Sequence, residues 1–198
     1  MNLEKNQLTD LVSFFWIVCN LKRIKRSGWI HKSNITSPES VADHSYSMCM
    51  MSMVLAEIMN LDSGRVMEMA NIHDLAESLV GDHMPDKISS EEKKSLEDKT
   101  MKKIISKLPA SLREKYFGIW NEYNDNITTC SKFVHNMDKL EMALQAKEYE
   151  FQGYSKESLE IFFKSANDYI SNEGFDVIHE ILQSIRDDSN RTSVNVVF

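Results

Sequence analysis

Three ionisable side chains stand close together in the stretch Asn71–Asp82, which reads N-I-H-D-L-A-E-S-L-V-G-D. His73 and Asp74 are adjacent, and Glu77 follows them at four and three positions. On an α-helix these offsets place Glu77 on the face of both residues. Imidazole and carboxylate groups bind divalent metals, and a further carboxylate beside them can transfer a proton. The stretch therefore predicts part of a hydrolytic metal site, and other segments must supply the rest.

Two other predicted helices place an ionisable side chain on an otherwise apolar, core-facing line, namely His44 and Asp138. Taken singly, a core histidine is more often a hydrogen-bonded packing residue, and a lone aspartate often lies near a helix edge. Taken together, uncompensated burial of these groups would cost several kcal/mol per charge, so a shared metal is the economical explanation. A site of two His and two Asp leaves coordination positions for water and substrate, which suits hydrolysis. The predicted ligands are His44, His73, Asp74 and Asp138.

The helices that must position these residues have recognisable starts and ends. The first helix is predicted over about Gln7–Arg26 and ends at Ser27-Gly28, and its apolar segment Leu11–Leu21 is interpreted as a core helix. A polar connection follows over His31–Thr36. The sequence Ser37-Pro38-Glu39 then predicts the start of a second helix, which extends to about Asn60.

The third predicted helix is capped by Asp62-Ser63 and continues to Val80, with Gly81 as its terminator. Beyond it, Asp82–Asp86 is predicted to be an ordered loop, and the charged segment Ser89–Lys103 to be a solvated helical face. Leu108-Pro109 is predicted to end the helix that precedes it. The later helices are predicted over about 110–123, 129–149, 155–172 and 175–187, and 188–198 is predicted to be a flexible tail.

The composition predicts one all-α domain over 1–198, because six Gly, three Pro and 12 Met in 198 residues favour helices. A net charge of −7 and a pI near 5.4 argue against a nucleic-acid polymer as partner. Three isolated cysteines indicate buried thiols and a cytoplasmic location. The apolar run 11–21 is too short to span a bilayer, so no membrane partner is expected.

The order His44, then His73-Asp74, then Asp138 resembles the HD-domain metal-dependent phosphohydrolases. Four segments resemble the 5′-deoxynucleotidase branch of that family, which removes phosphate from deoxyribonucleoside 5′-monophosphates. They read L-K-R-I-K-R-S-G-W, P-E-S-V-A-D-H-S-Y, H-D-L-A-E-S-L-V-G-D and F-V-H-N-M-D-K-L-E-M-A-L-Q-A-K-E-Y-E. The resemblance covers roughly 11–150 and implies a compact all-α HD-domain helical bundle, a homodimer, and cobalt, manganese or copper as the divalent metal.

The resemblance also implies roles for the residues around the metal. Glu77 would act catalytically on the attacking water, with a hydrogen bond to His73 as the alternative. Asp82 would join Glu77 among the catalytic groups and also contact the sugar.

A phosphate and sugar site is implied for Arg26 and Trp29. Arg23 or Lys22 could replace Arg26, because Ser27-Gly28 separates it from Trp29. A guanidinium can donate two hydrogen bonds to one phosphate. A Trp face beside the ribose would disfavour a substrate with a 2′-hydroxyl. The alternatives are a solvated basic helix end and a core anchor for Trp29.

Two other functions remain open from the sequence. One is a different HD-domain activity, on a cyclic dinucleotide, an alarmone or a nucleoside triphosphate. The other is a non-catalytic helical interaction protein, against which Glu77 argues. His83 follows Asp82 closely enough to line the pocket, although an ordinary loop position explains it equally well.

Overall fold

The computed structural model describes residues 4–82, 89–171 and 174–189, and these residues form ten α-helices with no β-strand among them. The prediction of an all-α fold is confirmed. His83 and most of the predicted tail lie outside the described residues. No helix in the described ranges is long and apolar enough to cross a membrane. The helices are α1 Lys5–Asn20, α2 Ser27–Ser33, α3 Val41–Ile58, α4 Ser63–Ile72, α5 Glu77–Val80, α6 Ser90–Ile105, α7 Ala110–Asp125, α8 Thr129–Phe151, α9 Lys156–Ile170 and α10 Asp176–Asp187.

Helix α8 is the centre of the fold, and α3, α4, α7, α9 and α10 all pack against it. Its buried side chains recur at three- and four-residue spacing on more than one face, which is expected for a helix with neighbours on several sides. Thr128 caps its first turn by accepting the Ser131 N–H. Any residue on α8 that faces α3 and α4 is thereby carried into the interior.

The first helix ends earlier than predicted, at Asn20, and the prediction that it reaches Arg26 is wrong. Lys25 pairs as an isolated bridge with Ser40, so the chain runs extended here. Ser27 then begins α2 instead of ending a helix, and its N–H is bound by the Asp82 carboxylate at 2.6 Å. Tertiary contacts with distant residues therefore override the local Ser-Gly stop signal.

The prediction that α1 is a core helix is also wrong. None of its residues is buried, and Trp16 is 68% exposed. Its contacts are with the short α5 and with α6. The apolar stripe of α1 is real, but part of it faces outward.

The second predicted helix starts at Val41, three residues later than the Ser37-Pro38-Glu39 signal predicts. Ser40 is the N-cap, and it forms a capping box with Asp43. Glu39 stays outside the helix, where its N–H donates to the Tyr149 hydroxyl at 2.8 Å and its carbonyl accepts the Arg26 N–H at 3.1 Å.

The third predicted helix is divided in two. Helix α4 begins after the predicted cap Asp62 but ends at Ile72, and α5 begins only at Glu77. The intervening residues form a tight turn in which the Glu77 N–H donates to the Asp74 carbonyl at 3.0 Å. Gly81, at φ 82°, ends α5 as predicted.

Candidate active site

The four predicted metal ligands converge from α3, the α4–α5 turn and α8. The His44 Nε2 atom lies 3.2 Å from Asp138 Oδ1 and 4.0 Å from Asp74 Oδ2. The His73 Nε2 atom lies 3.1 Å from Asp74 Oδ2. Ligand atoms of His44, His73 and Asp74 all fall within 4.8 Å of one another. Side chains that are up to 94 positions apart in sequence therefore face one small volume.

Both imidazoles are turned so that Nε2 faces this volume. His73 Nδ1 donates to the Ala70 carbonyl at 2.8 Å, and His44 Nδ1 pairs with the Glu141 carboxylate. A carbonyl only accepts, so the neutral His73 ring carries its proton on Nδ1 and a lone pair on Nε2. Both Nε2 atoms are buried and have no hydrogen-bond partner within the described ranges. Two such atoms beside two carboxylates fit a divalent metal.

The carboxylates also hold a proton on His44. Burial and Arg26 act to lower the pKa of His44, but Asp138 and Glu141 outweigh them and raise it to about 9. A metal at Nε2 must displace that proton, so metal binding at this ligand is coupled to proton release.

Arg26 reaches the same cluster from the N-terminus of α2. Its Nη1 atom lies 3.4 Å from Asp74 Oδ2, its Nη2 atom 4.0 Å from Asp138 Oδ1, and its Nε atom 3.9 Å from Glu39 Oε1. Burial acts to lower the pKa of Arg26, but the surrounding carboxylates raise it, so the guanidinium stays charged. The proposed substitutes, Lys22 and Arg23, are exposed and do not line this cavity.

Glu77 lies beside the cluster, in an environment that favours the uncharged form of its carboxyl group. Its side chain is buried, and Oε2 has no hydrogen-bond partner among the residues described. Burial, together with the negative charges of Asp74 and Asp82, raises the pKa of Glu77 well above its usual value. The alternative hydrogen bond to His73 is not found, because His73 Nδ1 is bound to Ala70 and His73 Nε2 is unpartnered. A buried carboxyl group with a raised pKa is a candidate for proton transfer.

Trp29 and Asp82 are both fixed by hydrogen bonds. Trp29 is only 1% exposed, and its Nε1–H donates to Glu39 Oε1 at 2.9 Å. Its ring packs against Phe162 at a centroid distance of 4.1 Å and edge-on against Tyr149. These contacts agree with the core-anchor alternative, although Trp29 also lines the cavity. Asp82 uses Oδ2 to bind the Ser27 N–H, and it lines the cavity as well.

One cavity of about 760 Å³, within the range of small-molecule sites, is lined by Arg26, Trp29, His73, Asp74, Glu77, Asp82 and Asp138. The fully buried His44 is not part of this lining. Arg26 is joined there by Lys32, Lys93, Lys94 and Lys139, and these five cations face five carboxylates in the described lining. The prediction that the charged segment Ser89–Lys103 is only a solvated face is therefore wrong in part. Helix α6 packs against α5 and α7, which turns Lys93 and Lys94 toward the cavity.

Sequence reasoning missed several residues of the site. Glu141 lies three positions after Asp138 on the same helix and is buried. Glu39 was interpreted as a helix-start residue but links Trp29 to Arg26. His135, to which no role was assigned, stacks on Tyr123 at 4.1 Å in the cavity wall. Such long-range partners have no local sequence signal.

We expect Glu141→Ala to weaken metal binding by about 10- to 100-fold, because His44 would lose the group that fixes its ring and its tautomer. The measurement is a titration of metal-stripped protein with cobalt, followed by calorimetry. Glu114→Ala, at an exposed position on α7, is the matched control and should bind cobalt like the parent. Unchanged affinity in Glu141→Ala would remove this residue from the site.

Comparison with known proteins places this geometry in a family. A model of the HD domain matches residues 18–178. The 5′-deoxynucleotidase HDDC2 of Homo sapiens is 40% identical over 157 residues, which are 79% of this chain and 76% of the human protein. The 5′-deoxynucleotidase hdd1 of Schizosaccharomyces pombe is 37% identical over 155 residues, 76% of either chain. The structure of a conserved hypothetical protein from Pyrococcus furiosus matches with a TM-score of 0.74 at 30% identity, covering 88% of this chain and 98% of that one. The chain therefore belongs to the HD-domain family.

Proposed function

We propose that this protein is a metal-dependent 5′-deoxynucleotidase, which hydrolyses deoxyribonucleoside 5′-monophosphates to a deoxynucleoside and phosphate. The observation that carries the proposal is the cluster of two unpartnered imidazole nitrogens and two carboxylates next to a cavity that Arg26 and the buried Glu77 also line. Relatives that match most of this chain bear the name 5′-deoxynucleotidase. We see no observation that favours a cyclic dinucleotide, alarmone or triphosphate substrate.

In the proposed reaction a water oxygen forms a bond to phosphorus as the bond from phosphorus to the sugar O5′ breaks. His44, His73, Asp74 and Asp138 would hold one divalent metal, for which we propose cobalt, manganese or copper. When bound, such a metal polarises the phosphate and lowers the pKa of water. Arg26 would pair with phosphate oxygens through its guanidinium, which stays charged in this setting.

Glu77 would accept the proton of the attacking water in its ionised form. The departing O5′ needs a proton as it leaves phosphorus, and the proton held by Glu77 could supply it directly or through solvent. The raised pKa of Glu77 supports this role, because burial and the neighbouring carboxylates make the group more ready to take up a proton.

We propose that Trp29 and Asp82 select the sugar. The Trp29 ring cannot move aside easily, since it is held by Glu39, Tyr149 and Phe162. A rigid ring beside the sugar would exclude a 2′-hydroxyl by contact. The Oδ1 atom of Asp82, which is not the oxygen bound to Ser27, could accept a hydrogen bond from the sugar 3′-hydroxyl.

The decisive experiment is a phosphate-release assay on purified protein. Its substrates are dAMP, dGMP, dCMP and dTMP with the matching ribonucleotides, and cobalt, manganese and copper are added separately. We expect turnover of the deoxynucleotides, slower turnover of the ribonucleotides, and loss of both with a chelator. No turnover of any deoxynucleotide would overturn the proposal.

A wider substrate panel with product identification, together with a metal analysis, separates the alternatives. Turnover only of a cyclic dinucleotide, an alarmone or a nucleoside triphosphate would assign a different HD-domain activity. No bound metal after purification without chelator, and no rescue by added ions, would favour a non-catalytic interaction protein. The homodimer, the cytoplasmic location and the lack of a nucleic-acid polymer or membrane as partner stay predictions.

A further inference from the structure

Glu39 is a buried carboxylate that contacts both Arg26 and Trp29, the residues proposed to bind phosphate and sugar. Its Oε1 atom accepts the Nε1–H of Trp29 at 2.9 Å and lies 3.9 Å from Nε of Arg26. Its side chain is only 7% exposed, and Glu39 is not part of the described lining of the catalytic cavity. Glu39 can therefore act on a bound substrate through Arg26 and Trp29.

The backbone of Glu39 helps to close the segment that carries α2. Its carbonyl accepts the Arg26 N–H at 3.1 Å, and the Ile24 carbonyl accepts the Val41 N–H at 2.9 Å. These two bonds join the chain just before α2 to the chain at the start of α3. Residues 27–38 therefore form a loop whose two ends meet beside Glu39.

The Trp29 ring is held by one hydrogen bond and by packing. Glu39 accepts the hydrogen bond from the indole N–H, whereas Tyr149 and Phe162 pack against the ring at centroid distances of 5.1 and 4.1 Å. Glu39 also donates its own N–H to the Tyr149 hydroxyl at 2.8 Å. A buried indole N–H without an acceptor would be costly, so this hydrogen bond fixes the orientation of the ring.

The residue type at position 39 fits a group that serves Arg26 as well as Trp29. Burial and Glu141 raise the pKa of Glu39 to about 7, although Arg26 acts to lower it, so the charged form is held at a cost. An amide would accept the Trp29 N–H without that cost. A carboxylate also attracts the Arg26 guanidinium, which an amide does not.

We propose that Glu39 is a positioning residue with two separable effects. Its hydrogen bond orients Trp29 for the choice of sugar, and its charge orients Arg26 for the phosphate. The inference rests on the proposed function, since it takes Arg26 as the phosphate-binding group and Trp29 as the ring that selects the sugar. Loss of the charge alone should weaken nucleotide binding for both sugars, and loss of the hydrogen bond should relax the choice between them.

The test compares Glu39→Gln with Glu39→Leu in the full chain loaded with cobalt, using the best deoxynucleotide substrate and its matching ribonucleotide. Glu39→Gln keeps an acceptor for Trp29, so we expect KM to rise by up to about fivefold for both nucleotides, with the ratio of their kcat/KM values unchanged. Glu39→Leu removes both the acceptor and the charge, so we expect the preference for the deoxynucleotide to fall by about tenfold.

Glu114→Leu, at an exposed position on α7, is the matched control and should keep the KM values and the preference of the parent. Circular dichroism should show every variant folded. A residue with a merely structural role would not change the preference, because partial unfolding lowers activity on both sugars equally.

A folded Glu39→Leu variant with the preference of the parent would overturn the inference. Glu39→Gln tests it separately, because an unchanged KM, or a preference relaxed as far as in Glu39→Leu, would also contradict it. A parent protein inactive on every deoxynucleotide would instead overturn the proposed function. Calorimetric titration with dAMP and AMP would then test the inference through the ratio of their Kd values, and equal binding of the two by the parent would overturn it.

Discussion

His44→Ala is expected to remove bound metal and catalytic activity together. His44 Nε2 faces both Asp74 and Asp138, so its loss leaves the cluster with one imidazole and an excess of negative charge. Loss of a residue that only orients a ligand typically costs 10- to 100-fold, so loss of a ligand should cost more than about 100-fold in metal affinity. Metal content by mass spectrometry and phosphate release from the preferred deoxynucleotide are the two measurements.

Asp138→Ala should behave in the same way, because the Asp138 carboxylate lies 3.2 Å from His44 Nε2 and completes the set from α8. His179→Ala on α10 is the matched control, since His179 contacts Asn167 and does not line the cavity. Full metal content and activity in His44→Ala or Asp138→Ala would show that the substituted residue is not a ligand.

Glu77→Gln is expected to abolish most turnover while metal binding stays intact. Glutamine has nearly the same shape but cannot take a proton from water, and loss of general acid–base catalysis typically costs about 10²- to 10⁴-fold. Because the raised pKa of Glu77 favours its neutral form, the neutral amide should be accommodated without unfolding. The measurements are kcat, metal content and thermal unfolding.

Glu114→Gln, at an exposed position, provides the control for Glu77→Gln and should leave kcat unchanged. A Glu77→Gln variant with kcat within tenfold of the parent would exclude Glu77 as the proton-transfer group. A variant that also lost its metal would instead make Glu77 part of the metal-binding set.

The candidate metal residues could be predicted from the sequence because each interrupts an apolar helical pattern with a group that is costly to bury. His44 and Asp138 carry that signal on α3 and α8 regardless of where the helices end. Glu141 carries no comparable sequence signal, because an acidic residue on a helix is usually solvated. Its burial is explained only by its pairing with His44.

Other parts of the fold had no decisive local signal. The stripe on α1 looks the same whether it packs against its own chain or faces outward, so its exposure could not be predicted. The break after Ile72 occurs without Gly or Pro in the residues His73–Ala76. Helix α1 ends at Asn20, and the side-chain amide of Asn20 donates to the Ser78 carbonyl on α5.

Because of the turn between α4 and α5, His73-Asp74 and Glu77 are held by different helices. His73 and Asp74 continue directly from α4, which packs against α3, α7 and α8. Glu77 starts a separate helix of four residues whose neighbours are α1 and α6. The proposed metal ligands His73 and Asp74 are therefore supported by the helices of the interior, whereas the proposed proton carrier Glu77 is supported by peripheral helices. We expect substitutions on α1, α5 and α6 to change turnover more than metal affinity.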